Sequence, residues 1–314
     1  MKIKKLRIKK ILKKGIPLWL ALLLLVNSTA VAGSLEFYIM RKNFNKNIAE
    51  LSKSTKNPQE LVKILEQKVL PQKGYTLAVR WNDMGKLLME SGVIDKTKYD
   101  EVFKSEPQVK GYLKYLENSS KDQMTISEKN SHFMVNTLWA LGLVNKSKIL
   151  DEGTIKTYGD GNHMNYASTG GWNLGVKETS RLYSSAEIIK LTAEQEEIVK
   201  KIALNIYRPC CGNHTEFPDC NHGMAALGYI QAAVKQGVSE NRIYKDLLAL
   251  NSFWFPQNYV EIAAFFQKQG TDWKKVDTKL ALSAEYSSAQ GAQRVKQSIQ
   301  DVPGVNTQGG GCGA

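Results

Sequence analysis

Residues 16–35, IPLWLALLLLVNSTAVAGSL, contain no charged side chain, and the residues before them carry eight basic groups and no acid. No other feature constrains the rest of the chain as much. A basic start, an apolar stretch and small residues ending in Ala30-Val31-Ala32 make an export signal, with Gly33 as the first residue after cleavage. About 20 apolar residues also suffice to cross a bilayer as a helix. In either case the basic flank stays on the cytoplasmic side. Residues 1–35 are therefore expected to be a signal peptide or a transmembrane anchor. The remainder is expected to be extracytoplasmic, membrane-anchored or secreted.

The same basic start removes an apparent clue. The formal charge is +13, which suggests a nucleic-acid partner, but eight of the 43 basic residues precede the first acid, Glu36. The remaining 35 basic residues face 30 acidic ones, a balance with no concentrated basic footprint. The partner expected is the membrane, through the N-terminal segment, and not nucleic acid.

The rest of the chain is expected to be all-α. Asn57-Pro58 has the form of an N-cap followed by proline in the first turn, opening a helix with Leu61, Ile64, Leu65 and Val69 on one face. WNDMGKLLMESG, DKTKYDEVF, EPQVKGYLKYLEN and SHFMVNTLWALGLV continue an N-terminal helical region over 36–150. Residues 151–184 are rich in Gly, Asn and Ser without periodicity and are expected to be a loop, holding His163 and Met164. A C-terminal helical domain over 185–300 follows. Thr192 and Gln195 have capping-box spacing, Asp219 is the expected N-cap of a helix through Met224, Leu227 and Ile230, and Ser239 caps the next. Glu194, Glu196 and Glu197 read as a solvated first turn. Residues 301–314, ending GGGCGA, are expected to be a flexible tail carrying Cys312.

Between two of these helices lies the chemistry. Three of the four cysteines and two of the four histidines fall between Cys210 and His222, in the order C-C-x-x-H-x-x-x-x-x-C-x-H. Cys211 with His214 and Cys220 with His222 make two ligand pairs, and zinc takes four nitrogen or sulfur ligands in closed sites. Thiolates also select copper(I). The metal ligands expected are Cys210, Cys211, His214, Cys220 and His222, for zinc or copper, with Met224 and His163 as outer candidates. Outside the cytoplasm the same cysteines can oxidise. Cys210 or Cys211 with Cys220, or with Cys312, could form a catalytic or a structural disulfide.

The segment CGNHTEFPDCNHGMAALGYIQAAVKQGVSENRIYKDLLALN resembles the periplasmic helical domain of the cytochrome c maturation thiol reductases, the CcmH family. Cys211, Asn213, Thr215, Asp219 and Asn221 match in the loop. Ala225, Gly237, Ser239 and the aromatic stretch Phe253 to Tyr259 match beyond it. The resemblance implies a membrane-hung helical domain that reduces apocytochrome disulfides to thiols before haem attachment, through a cysteine pair, here Cys210 and Cys211, which is itself oxidised. The family's pair is C-x-x-C, whereas these two are adjacent, and a ring closed between neighbours is strained.

Three functions follow as expectations. The first is a transition-metal-binding protein using the Cys/His cluster. The second is a thiol–disulfide oxidoreductase with a protein thiol or metal-exchange partner. The third is a stapled interaction module without catalysis.

Overall fold

The computed structural model describes residues 42, 58–158, 161–302 and 304–305. The signal or anchor segment and Cys312 lie outside these residues. Among the described residues no helix is long and apolar enough to cross a membrane.

The fold is mostly helical, with one two-stranded sheet. The longer elements are α1 (Pro58–Val69), β1 (Tyr75–Asn82), α2 (Met84–Ser91), α3 (Lys96–Val102), β2 (Ser120–Ile126), α4 (Ser131–Val144), α5 (Ala193–Ala203), α6 (Asn221–Lys235), α7 (Glu240–Trp254), α8 (Pro256–Lys268) and α9 (Ala289–Ser298). The all-α expectation is corrected at the sheet. YTLAVRWN alternates, burying Leu77, Val79 and Trp81, and so forms a strand that takes Trp81 and Asn82 away from the expected helix. Its antiparallel partner β2 lies far along the chain, pairing Tyr75 with Ile126 and Asn82 with Ser120. A two-stranded ribbon is marginal alone. Here it is held by helices. The Gln236 side chain exchanges two 2.9 Å hydrogen bonds with the Arg80 backbone, and buried Asp246 accepts from Tyr75 Oη and the Ala78 amide.

Helix α6 is the axis of the molecule: every residue from His222 to Val234 is buried. A helix apolar on all sides belongs in the middle of a core. Its close neighbour is α4, and glycines at the crossing set the distance. A Cβ on Gly142 would stand 2.0 Å from the Met224 carbonyl oxygen, and one on Gly228 would stand 2.4 Å from that of Leu138. The two backbones touch because neither residue has a side chain. Packing thus joins the regions before and after 151–184 into one hydrophobic core.

Several local expectations are met. The Thr192–Gln195 capping box forms at the start of α5, and α4 spans the apolar segment. Others change. EPQVKGYLKYLEN breaks into two short turns, Pro107–Val109 and Lys114–Glu117. The 151–184 loop contains the helical turns Thr154–Thr157 and Thr179–Leu182. Glu196 is buried and not solvated. Val302 and Val305, expected in the flexible tail, are buried in the core.

Candidate metal centre

Helix α5 ends at Ala203, and the chain then folds back on itself before α6 begins. The Thr215 amide and hydroxyl both bond the Ile206 carbonyl, and the Glu216 amide bonds that of Ala203. The Ala289 amide, at the start of α9, bonds the Cys211 carbonyl at 2.8 Å. The cysteine loop is therefore pinned to two helix ends. Residues of 151–184 brace its other side: the Ser168 amide bonds Asp219 O, Tyr158 and Tyr166 pack on Phe217, and Thr154 Oγ1 donates to Glu216.

This fold-back brings three sulfurs together. Cys210 Sγ lies 3.3 Å from Cys211 Sγ and 3.5 Å from Cys220 Sγ, and all three lie within 4.8 Å of one another. All are free thiols and partly exposed. Cys220, and not Asp219, is the N-cap of α6: its φ and ψ are extended and its sulfur accepts from the Gly223 amide at 3.3 Å. A helix N-terminus favours negative charge at this position.

Asp219 is used elsewhere, by a residue that reasoning from the sequence missed. Arg208 is 1% exposed. Its guanidinium donates to Cys220 Sγ (3.1 Å), the Asn213 carbonyl (3.0 Å), the Phe217 carbonyl (3.1 Å) and the Asp219 carboxylate. One rigid fork thus fixes the loop at four points. Gly223 makes room for it, since a Cβ there would meet the guanidinium carbon at 2.5 Å. An arginine two residues before a cysteine pair, in a chain turning inward, was the available signal.

The electrostatics follow from these contacts. Hydrogen bonds from Cys210 and then Cys211 hold the Cys220 thiol well below its usual range, and Arg208 adds to the effect. Cys210 moves the other way, because its proton is shared with Cys211 and Cys220. Cys211 is also raised: its bond with Cys210 opposes this, but the bond to Cys220 and burial outweigh it. The three cysteines therefore differ, Cys220 being shifted toward the thiolate and Cys210 and Cys211 toward the thiol.

The histidines separate. His222 is 2% exposed, packed 4.4 Å from the Phe255 ring and 5.7 Å from Trp254. Its imidazole lies near enough to Cys220 to favour the thiolate, yet neither ring nitrogen has an aligned hydrogen-bond partner. His214 stands apart from the sulfur group, its Nδ1 lying 3.8 Å from Glu216 Oε2 and its ring against Tyr207. Burial lowers its basicity. His163 packs on Tyr183, and Met224 is buried in the core beside the α4 crossing. His132 bonds Glu106 at 2.6 Å, as a histidine with a structural partner does.

Among the described residues, the one group of three or more metal-ligating side chains is Cys210, Cys211 and Cys220, a set of soft donors suited to zinc or copper(I). No family model, no curated protein and no solved structure matches this chain, so its likeness to the cytochrome c maturation thiol reductases stands on the quoted residues alone.

Proposed function

We propose that this chain is an exported, membrane-tethered or secreted protein that binds a thiophilic transition metal through Cys210, Cys211 and Cys220. The observation that carries the reading is the convergence of three sulfurs from both ends of a loop within 4.8 Å. Tetrahedral zinc with bonds of about 2.3 Å sets its sulfurs about 3.8 Å apart. Spacings of 3.3 and 3.5 Å need only a small expansion to reach that. Arg208 supports it as well. Three thiolates around a divalent ion carry one excess negative charge, and a buried guanidinium already bonded to one sulfur offsets it. Export is supported by the charge-free segment 16–35 behind its basic start.

Metal analysis of the full-length chain, purified without oxygen, tests the reading. The expected result is one zinc or copper per chain, abolished when the three cysteines are replaced by serine. A wild-type chain that takes up neither metal on reconstitution overturns it.

A second reading draws on the 3.5 Å approach of Cys210 to Cys220 and the thiolate of Cys220. The pair could exchange with a partner disulfide, as the likeness to thiol reductases implies. Equilibration of the metal-free chain with glutathione buffers separates the readings. A Cys210–Cys220 disulfide that cycles within the buffered range favours exchange as the activity.

A further inference from the structure

We infer that His222 is the fourth ligand of this centre, closing it as a Cys3His site of the zinc class. The inference rests on the metal-binding reading and assigns the one donor that the sulfur group does not itself contain. His222 is buried to 98 parts in 100, and both ring nitrogens lack a partner. Buried polar atoms are nearly always satisfied, and one left without a partner costs about 1–3 kcal/mol. Two on one imidazole, beside a group of thiols, is the pattern of a ligand whose partner is an ion.

Local geometry permits the reach. Inside a helix, residues two apart do not share a face. Cys220, however, is the N-cap, with φ −121° and ψ 163°, so the chain turns between it and His222 and that restriction lapses. His222 follows Cys220 by two residues at the start of α6, and its side chain has to swing only from that turn to reach the sulfurs. Its ring is gripped by Trp254 and Phe255, at the end of α7 and before α8, and these fix its plane.

Coordination number is what the assignment decides. Three thiolates alone suit a three-coordinate copper(I) ion. Three thiolates and an imidazole complete the four ligands of a closed zinc site. Neither imidazole is among the donors already within 4.8 Å of one another, and His214 differs from His222 in being partly exposed, with its Nδ1 3.8 Å from Glu216 Oε2.

Cobalt(II), a spectroscopic stand-in for zinc, tests the assignment on the full-length chain. Wild type is expected to show sulfur-to-cobalt charge-transfer bands with the visible bands of a four-coordinate ion. His222→Phe keeps the aromatic packing while removing the nitrogens. It is expected to retain the charge-transfer bands, shift the visible ones, and bind zinc about tenfold more weakly or worse in chelator competition. Histidine ring-nitrogen NMR of the wild-type chain needs no variant, and one imidazole should shift on adding zinc. If cobalt binds and neither the His222→Phe spectrum nor any imidazole signal changes, the assignment is wrong and the three-sulfur centre survives. If wild type binds neither ion, the metal reading itself falls.

Discussion

Two buried charges organise this molecule, and they are used differently. Asp246, fully buried, accepts hydrogen bonds from Tyr75 Oη, the Ala78 amide, Tyr229 Oη and Arg242 Nε. Every bond ends on a group with no further chemistry, and the result ties β1 to α6 and α7. Arg208, equally buried, also makes four contacts, but one ends on a sulfur that is the N-cap of α6 and touches a second thiol. The first network consumes its donors. The second holds a thiol shifted toward its charged form, in place at the start of a helix. A buried ion is therefore no sign of function by itself, and the partner at the end of each bond decides.

Replacing Arg208 breaks the contrast most severely. Arg208→Leu leaves the Asn213 and Phe217 carbonyls without their donor and Asp219 without its ion pair, holding only its bond from Asn213 Nδ2, a loss of about 3–5 kcal/mol in chemical unfolding. Metal uptake by the folded fraction should fall as well. The pH dependence gives a second readout. Cys220 is depressed, so its contribution to stability is complete above the usual thiol value of about 8.5 and fades as pH falls through its folded value. Cys210 and Cys211 are raised, so theirs holds below that value and fades as pH rises. Ultraviolet titration of the metal-free chain carrying Cys312→Ser, which leaves the three loop thiols, should show one thiolate forming early and two late. In Arg208→Leu the early step should move up, and an unchanged early step would show that the guanidinium does not hold the charge.

Asp246→Ala should cost a comparable amount but should spare the metal. The Ala78 amide and Tyr229 Oη are left buried without an acceptor, each worth about 1–3 kcal/mol, while half-exposed Arg242 returns to water. Denaturant unfolding should register that loss, with metal content per folded chain unchanged. Loss of metal in a folded Asp246→Ala chain would join the two networks that the structure keeps separate.

Gly228→Ala sits between the two regions. A methyl group there would press on the Leu138 carbonyl and the Gly142 amide and would push α6 from α4. Overpacking of this kind costs about 1–3 kcal/mol. Because α6 carries Cys220 and His222 at its far end, zinc affinity should drop together with thermal stability. A stability loss with full affinity would mean that the loop holds its sulfurs independently of the axis.

How much of this was legible beforehand follows from the range of each interaction. The capping box at Thr192, the helix through Met224, Leu227 and Ile230 and the gathering of three cysteines are local patterns, and they read correctly, although α6 is buried on every side and not on one face. The alternation of Leu77, Val79 and Trp81 was also local. It went unread, apart from Trp81, which was placed in the next helix, because its partner, polar SKDQMTI, shows only Met124 and Ile126 to the core and lies far away in sequence. Asp219 was read as the N-cap because aspartate is the better cap by propensity. Arg208 claims that carboxylate across eleven residues and leaves the cap to Cys220. His214 and His222 were indistinguishable by spacing. Only the fold shows that one faces Tyr207 and Glu216 while the other is sealed beside Cys220.

That last difference supplies the smallest effect and the sharpest control. His214→Ala removes an imidazole that stands off the sulfur group, partly exposed and 3.8 Å from Glu216. Glu216 keeps its bond from Thr154, so no buried charge is stranded. Truncation should shift stability by under about 1 kcal/mol, as changes away from core features do. It should leave the cobalt spectrum and zinc affinity as in wild type. His222→Phe should disturb both while preserving the aromatic contacts. If His214→Ala instead weakens zinc as much as His222→Phe does, both imidazoles contribute to the centre. The loop between Cys211 and Cys220 must then close further over the metal than its backbone ties to Ile206 and Ala203 now allow.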